Sequence, residues 1–269
     1  MAMFHWSRQN DSGDWPRHST PLKFSSPKVH TNREISLVQK SITKPQRMHL
    51  TADHVARVER LEPDPGPQIG TRKPDESDFA KFVKDLLEQH RPKDLWVFAY
   101  GSLIWNPEFE FEEMQTATAN GWHRCFCIHL TRWRGTRTLP GLMMALDRGG
   151  SCKGLAFRLP VSDHNGQLVT LMRREVGAIP ATNVPRWIKV VTENGPLLAL
   201  AFVVDTKGPT YAGKLPLDQV ARVLSRAAGH LGSAAQYLYN TVSKLESHGI
   251  RDKNLWELQM LVAREIDKA

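Results

Sequence analysis

Residues 96–111 read WVFAYGSLIWNPEFEF. An apolar, aromatic run from Trp96 to Leu103 is interrupted only by Gly101-Ser102 and then meets Asn106-Pro107. A glycine inside a strand marks either a bulge or a place where something approaches the backbone closely. Tyr100-Gly101-Ser102-Leu103 offers backbone N–H groups, unshielded by a Cβ at Gly101, with a hydroxyl beside them. Such a set suits a carboxylate or another small anionic group. From this tetrapeptide alone, a bulge where the strand turns a corner is the simpler reading.

Strand patterns continue outward from this stretch. They predict strands over 95–100, about 116–131, 141–148 and 153–160, with Asp147-Arg148-Gly149-Gly150 as a turn between the last two. Trp187–Thr192 and Leu197–Asp205 read as a hairpin closed by Glu193-Asn194-Gly195, whose Asn-Gly step supplies the turn. Helical spacing predicts a helix over about 51–61 with Thr51 as its N-cap, and a second from Asp75 to His90. PDPGPQIG at 63–70 lies between them as a linker. A short helix follows at about 164–176, then Leu217 to Ala228, a helix capped by Ser233 that runs to about Ser247, and a last one from Asn254. Strands first and helices after predict an α+β fold with a curved or closed sheet flanked by helices, rather than alternating βαβ units.

The chain has 269 residues, 41% of them hydrophobic and 24% charged, which is ordinary for a soluble globular protein. Its longest apolar run, Leu197 to Val204, falls far short of the ~20 residues that span a bilayer, so no membrane partner is expected. Residues 1–47 are polar, carry eight Lys/Arg against three Asp/Glu, and read as a disordered basic extension. Met48 is a candidate start, and 48–93 reads as a segment of helices and linker before the main domain at 94–269. The extension accounts for +5 of the net charge of +8, which leaves the remainder only mildly basic. Nucleic acid is therefore not an expected partner. Cys125, Cys127 and Cys152 lack Cys-x-x-Cys spacing and read as reduced thiols of a cytoplasmic protein. His123 and His129 are near, but without a second spaced ligand pair no metal site is expected.

The helix containing QLVTLMRREVGA carries the second chemical feature. Leu168, Leu171 and Met172 form its apolar stripe, and Glu175 falls on the same stripe at i+7 from Leu168. A carboxylate aimed at the core is costly unless paired, and burial raises its pKa toward values useful for proton transfer. The plainer alternative is a buried ion pair with Arg124, Arg132 or Arg186. Trp122, Trp133 and Trp187 read as core, and Glu108, Glu110, Glu112 and Glu113 as solvent-facing.

WVFAYGSLIWNPEFEF, GWHRCFCI, RGTRTLPGLMMALDRGGSCKGLAFRL, LMRREV, PRWIKV, ALAFVVD, YAGKLP and QYLYNTVSKLESHGIRD stand in the order seen in the ChaC-like glutathione-specific γ-glutamylcyclotransferases, which this chain resembles from about Asp94 onward. The resemblance implies a small mixed β-barrel flanked by helices. It implies cleavage of glutathione to 5-oxoproline and cysteinylglycine, with no metal or organic cofactor. It maps substrate binding onto Ala99, Tyr100, Gly101, Ser102, Leu103 and Ile104, and the catalytic glutamate onto Glu175. Tyr211 joins Tyr100 as a candidate substrate partner. The chain lacks the Tyr that often precedes Pro-Arg-Trp in bacterial relatives. A rival of another class remains: a regulatory protein, associated with cation transport, that binds γ-glutamyl ligands without turnover.

Overall fold

The long hairpin formed by β2 (Glu113–Leu130) and β3 (Gly141–Arg158) is the frame on which the rest of the sheet closes. The computed structural model describes residues 47–269; the expected extension over 1–47 lies, apart from Arg47, outside the described residues. β1 (Trp96–Ala99) runs antiparallel to β3, and β4 (Asn183–Thr192) runs antiparallel to β2 and to β5 (Gly195–Val204). β1 and β5 then meet in parallel at Val97 and Leu200, which closes a five-stranded barrel in the order β1-β3-β2-β4-β5. Closure leaves the short β1 no exposed edge. Val97, Phe98 and Ala99 are accordingly buried on both of its faces.

The expected break at Asp147–Gly150 is not a turn. β3 passes through it as one strand of 18 residues. The register shifts there, with Gly121 facing the step between Arg148 and Ser151. Gly121, Gly149 and Gly150 all take positive φ (80°, 100° and 69°). Glycine makes that conformation cheap, so the irregularity is absorbed as a bulge that bends the hairpin without ending it. β4 also begins at Asn183, earlier than the expected Trp187.

Helices surround the barrel. α1 (Ala52–Val58) starts on Thr51, and α2 (Glu76–Gln89) starts on Asp75, whose carboxylate accepts from the N–H groups of Ser77 and Asp78. α4 (His164–Glu175) buries Leu168, Leu171 and Met172, the expected stripe. α5 (Leu217–Leu224), α6 (Ala234–Ser247) and α7 (Lys253–Asp267) follow, with Ser233 capping α6 as expected. Segment 48–93 is fastened to the rest of the unit at both ends. The fully buried Gln259 of α7 accepts from the backbone N–H groups of His49 and Leu50 at 2.9 and 2.8 Å, and the Trp187 indole donates to Leu86 O at 3.0 Å. Trp122 is buried, whereas Trp133 and Trp187 are only half-buried. Among the described residues, no helix is long and apolar enough to cross a membrane.

Candidate active site

The Gly-Ser step does not interrupt a strand; it ends one. β1 stops at Ala99, and Gly101 becomes the N-cap of a four-residue helix, α3 (Ser102–Trp105). The N–H groups of Ser102 and Leu103 at its start have no intrahelical partner, whereas Ile104 N–H returns to Gly101 O at 3.0 Å. The flanking aromatics explain how so short a turn is held. Tyr100 Oη donates to the carbonyl of Phe202 on β5 at 2.8 Å, and Trp105 Nε1 donates to Thr241 Oγ1 on α6 at 3.0 Å. Tyr100 therefore secures the loop to the barrel with the hydroxyl that sequence reasoning assigned to substrate.

A third anchor comes from Arg124 on β2, whose side chain is 2% exposed. Its Nε donates to Tyr100 O at 2.8 Å and its Nη1 to Asp252 Oδ2 at 2.7 Å, while Nη2 donates to Lys153 O. Asp252 in turn caps α7, accepting from Leu255 N. One buried guanidinium thus ties the loop, both strands of the long hairpin and the last helix together.

Glu175 ends α4 at the same place. A small cavity of about 50 Å³ is lined by Tyr100, Gly101, Ser102 and Leu103 from the loop, Met143 and Met144 from β3, and Phe202 from β5. Glu175, Asn183 and Tyr237 complete it. A wider recess of about 290 Å³ lies beside Glu108 and Arg174, but its charges are taken up in ion pairs, Arg173 with Glu76 and Arg174 with Glu108. The smaller cavity is the stronger candidate because it gathers buried titratable groups around exposed backbone donors.

The Glu175 side chain is 15% exposed. Burial pushes its pKa above the usual carboxylate value, opposed by the Arg174 guanidinium, whose Nε lies 3.1 Å from Glu175 Oε1. The partner is thus the adjacent Arg174 rather than Arg124, Arg132 or Arg186. Arg174 also stands 2.9 Å from a Glu108 carboxylate oxygen, a charge contact rather than an aligned hydrogen bond. Burial likewise lifts Tyr100 well above its usual value. Tyr237 rises to about 12, mainly by burial, with the Ser102 hydroxyl and N–H pulling the other way. Both phenols stay protonated at neutral pH, with the Tyr100 proton donated to Phe202 O, and both stand near the Glu175 carboxylate.

Of the sequence-derived set, the structure brings Tyr100, Gly101, Ser102, Leu103 and Glu175 to one cavity. Ala99 and Ile104 are buried in the core behind it. Tyr211 is not among the cavity residues; its hydroxyl donates to Asp147 Oδ2 at 2.8 Å, and its backbone bridges to Ile128. Sequence reasoning missed Asn183 and Tyr237. The Nδ2 of Asn183 donates to Glu175 O at 3.3 Å, and its Oδ1 is buried without a protein partner. Its only sequence signal was its place before Pro-Arg-Trp.

Comparisons with known proteins show the chain's family and fold. The family described as ChaC-like protein matches residues 95–265. The glutathione-specific gamma-glutamylcyclotransferase of Escherichia coli (strain K12) is 38% identical over 171 residues, covering 63% of this chain and 73% of that protein. Its counterpart in Schizosaccharomyces pombe is 30% identical over 195 residues, covering 65% of this chain and 95% of that one. A crystal structure of a yeast gamma-glutamyl cyclotransferase specific to glutathione superposes with a TM-score of 0.59 at 19% identity, over 65% of this chain and 97% of that chain. At that identity the superposition speaks for the fold: a closed barrel with helices around it.

Proposed function

The chain belongs to the ChaC-like family, and we infer that it is a glutathione-specific γ-glutamylcyclotransferase, a lyase that releases 5-oxoproline and cysteinylglycine. The observation that carries the mechanism is the meeting of a buried carboxylate, Glu175, with the Tyr100-Gly101-Ser102-Leu103 loop in one cavity.

The substrate holds both reacting groups. Its α-amine attacks its own γ-carbonyl carbon, a C–N bond forms to close a five-membered ring, and the amide C–N bond to the cysteinyl nitrogen breaks. No water enters and no covalent enzyme intermediate is needed. Binding the γ-glutamyl group folded replaces a search through open-chain conformers with a near-attack geometry. The amine is protonated at neutral pH, so it must lose a proton before it attacks. Glu175, raised by burial, takes that proton and returns it to the departing cysteinyl nitrogen. The second proton lost by the ring nitrogen as the lactam forms leaves on the cysteinylglycine ammonium. Backbone N–H groups at the start of α3 and the Tyr237 hydroxyl supply donors for the substrate carboxylate and for the oxygen that gains charge. Asn183 Oδ1, an acceptor without a protein partner, receives an N–H from the α-amine beside Glu175.

Incubation of the purified protein with glutathione and assay of cysteinylglycine tests the activity. Glu175→Gln tests the base: the variant folds and does not release product. Glutathione binding without cysteinylglycine from the wild-type protein would instead favour the non-catalytic binding protein that the sequence left open.

A further inference from the structure

Outside the cavity, the long hairpin gathers three metal-binding side chains that the proposed reaction does not use. The thiols of Cys125 and Cys127 and a carboxylate oxygen of Asp147 all lie within 4.8 Å of one another. Cys125 and Cys127 are free thiols, the first half-buried and the second fully buried. Sequence spacing gave no hint of the third donor, because Asp147 comes from the facing strand β3, opposite His123. The register also slips between Phe126 and Ile128, so Cys127 is the extra residue of a bulge. Phe126 stays in the main core, while Cys127 and Ile128 both turn to a smaller cluster on which Cys125, Met143 and Tyr211 pack. Bulges re-aim side chains, and this one places two sulfurs on one side of the hairpin.

We propose that Cys125, Cys127 and Asp147 form a site for a thiophilic divalent cation of the zinc class, separate from the catalytic cavity. Three atoms 4.8 Å apart are all about 2.8 Å from their common centre, so shifts of a few tenths of an ångström reach the ~2.3 Å of a Zn–S bond. Two soft thiolates with one carboxylate suit Zn²⁺ or Co²⁺ and disfavour Mg²⁺ or Ca²⁺, which take oxygen donors. The carboxylate is already oriented: Tyr211 Oη donates to Oδ2 at 2.8 Å and Arg148 N to Oδ1 at 2.7 Å, the outer-shell support that metal-binding carboxylates usually have. Half-buried Cys125 and Asp147 leave a path from solvent and a fourth position for water or an added ligand. Binding requires loss of the thiol protons. Uptake therefore strengthens with pH and releases protons.

The test is titration of the reduced full-length protein with Co²⁺, followed by absorbance. The expected result is one equivalent bound, with sulfur-to-cobalt charge transfer in the near ultraviolet that disappears on addition of Zn²⁺. Asp147→Asn weakens Co²⁺ binding at least ~10-fold, and Cys125→Ser removes the charge-transfer band, with circular dichroism confirming that both variants are folded. Glu175→Gln leaves the titration unchanged, so the result is independent of the proposed catalytic role. Absence of the band in the wild-type protein, or its persistence in folded Cys125→Ser, overturns the site.

Discussion

The hydroxyl of Tyr237 stands where a side chain at residue 101 would begin: a Cβ built on Gly101 lies 2.8 Å from it. Gly101 has a negative φ of −135°, so the need for glycine here is close approach rather than backbone conformation. Tyr237 has little room to retreat. Its ring meets Trp105 and Phe126 edge-on at 5.8 and 6.1 Å, and the Arg134 guanidinium covers it at 5.6 Å. Gly101→Ala therefore displaces the α3 turn or the phenol. A misplacement near 1 Å costs about 10²-fold in rate, which cysteinylglycine release measures, while the thermal transition stays cooperative. A wild-type rate in this variant would show that the contact does not set the geometry of the site.

The pH dependence follows from Glu175. Its basic form is the anion, and burial raises its pKa, so kcat/KM falls as pH drops through that raised value. Arg174 opposes the rise, so Arg174→Met shifts the acid limb of the profile to higher pH. Stability carries the opposite sign. A carboxyl whose folded pKa is raised contributes stability below its unfolded pKa that is lost as pH increases through the folded one. Glu175→Gln thus loses ~10²–10⁴-fold in kcat yet melts no lower than wild type at neutral pH. Acid limbs that coincide in wild type and Arg174→Met would remove Glu175 as the titrating group.

Half of this site was legible in the sequence. The i, i+3, i+4, i+7 spacing of Leu168, Leu171, Met172 and Glu175 is a property of one helix, and Tyr100-Gly101-Ser102 is contiguous, so local pattern sufficed for both. Asn183, Phe202 and Tyr237 reach the cavity only because the barrel closes and α6 packs over α3, and no local period encodes either event. Arg174 lies off the apolar stripe by its helical position, but its long side chain reaches Glu175 and Glu108. The glycines at 149 and 150 carry a turn signature, yet they serve a bulge because Gly121 on the facing strand yields with them.

Arg124 supports the site from behind, and its removal should cost stability first. The guanidinium is nearly inaccessible, and Asp252, with its side chain 19% exposed, would be left facing a buried void. Breaking one side of such a pair costs about 3–5 kcal/mol, so Arg124→Met should lower the denaturant midpoint clearly. Asp252→Asn keeps an N-cap acceptor and should cost less. Equal stability of Arg124→Met and wild type would refute this account of the buried pair.

Tyr211→Phe separates fold from chemistry. The lost hydroxyl bonds Asp147 and not the cavity, so about 0.5–1.5 kcal/mol of stability goes with it while glutathione turnover stays within ~2-fold. A large loss of turnover would restore the substrate-contact role that the sequence offered.

Asn183→Leu makes the sharpest separation, because the two accounts of the asparagine predict different rates. If Oδ1 were only a buried acceptor without a partner, the change would relieve its desolvation cost, offset by loss of the Nδ2 bond to Glu175 O, and would leave the rate untouched. If Oδ1 receives the substrate α-amine beside Glu175, the same change leaves that amine unheld, and the partner lost is worth ~1–3 kcal/mol, or roughly 5- to 150-fold in kcat/KM. The geometry supports the second account. Nδ2 is engaged by Glu175 O at 3.3 Å, so Oδ1 joins the Glu175 carboxylate as an acceptor in the cavity lining, where the Tyr100 proton is already spent on Phe202 O. An ammonium needs acceptors, and these are the two it would find. Asn183→Leu should therefore change the melting temperature little while its kcat/KM for glutathione falls at least ~5-fold, and unchanged kinetics would remove Asn183 from the site.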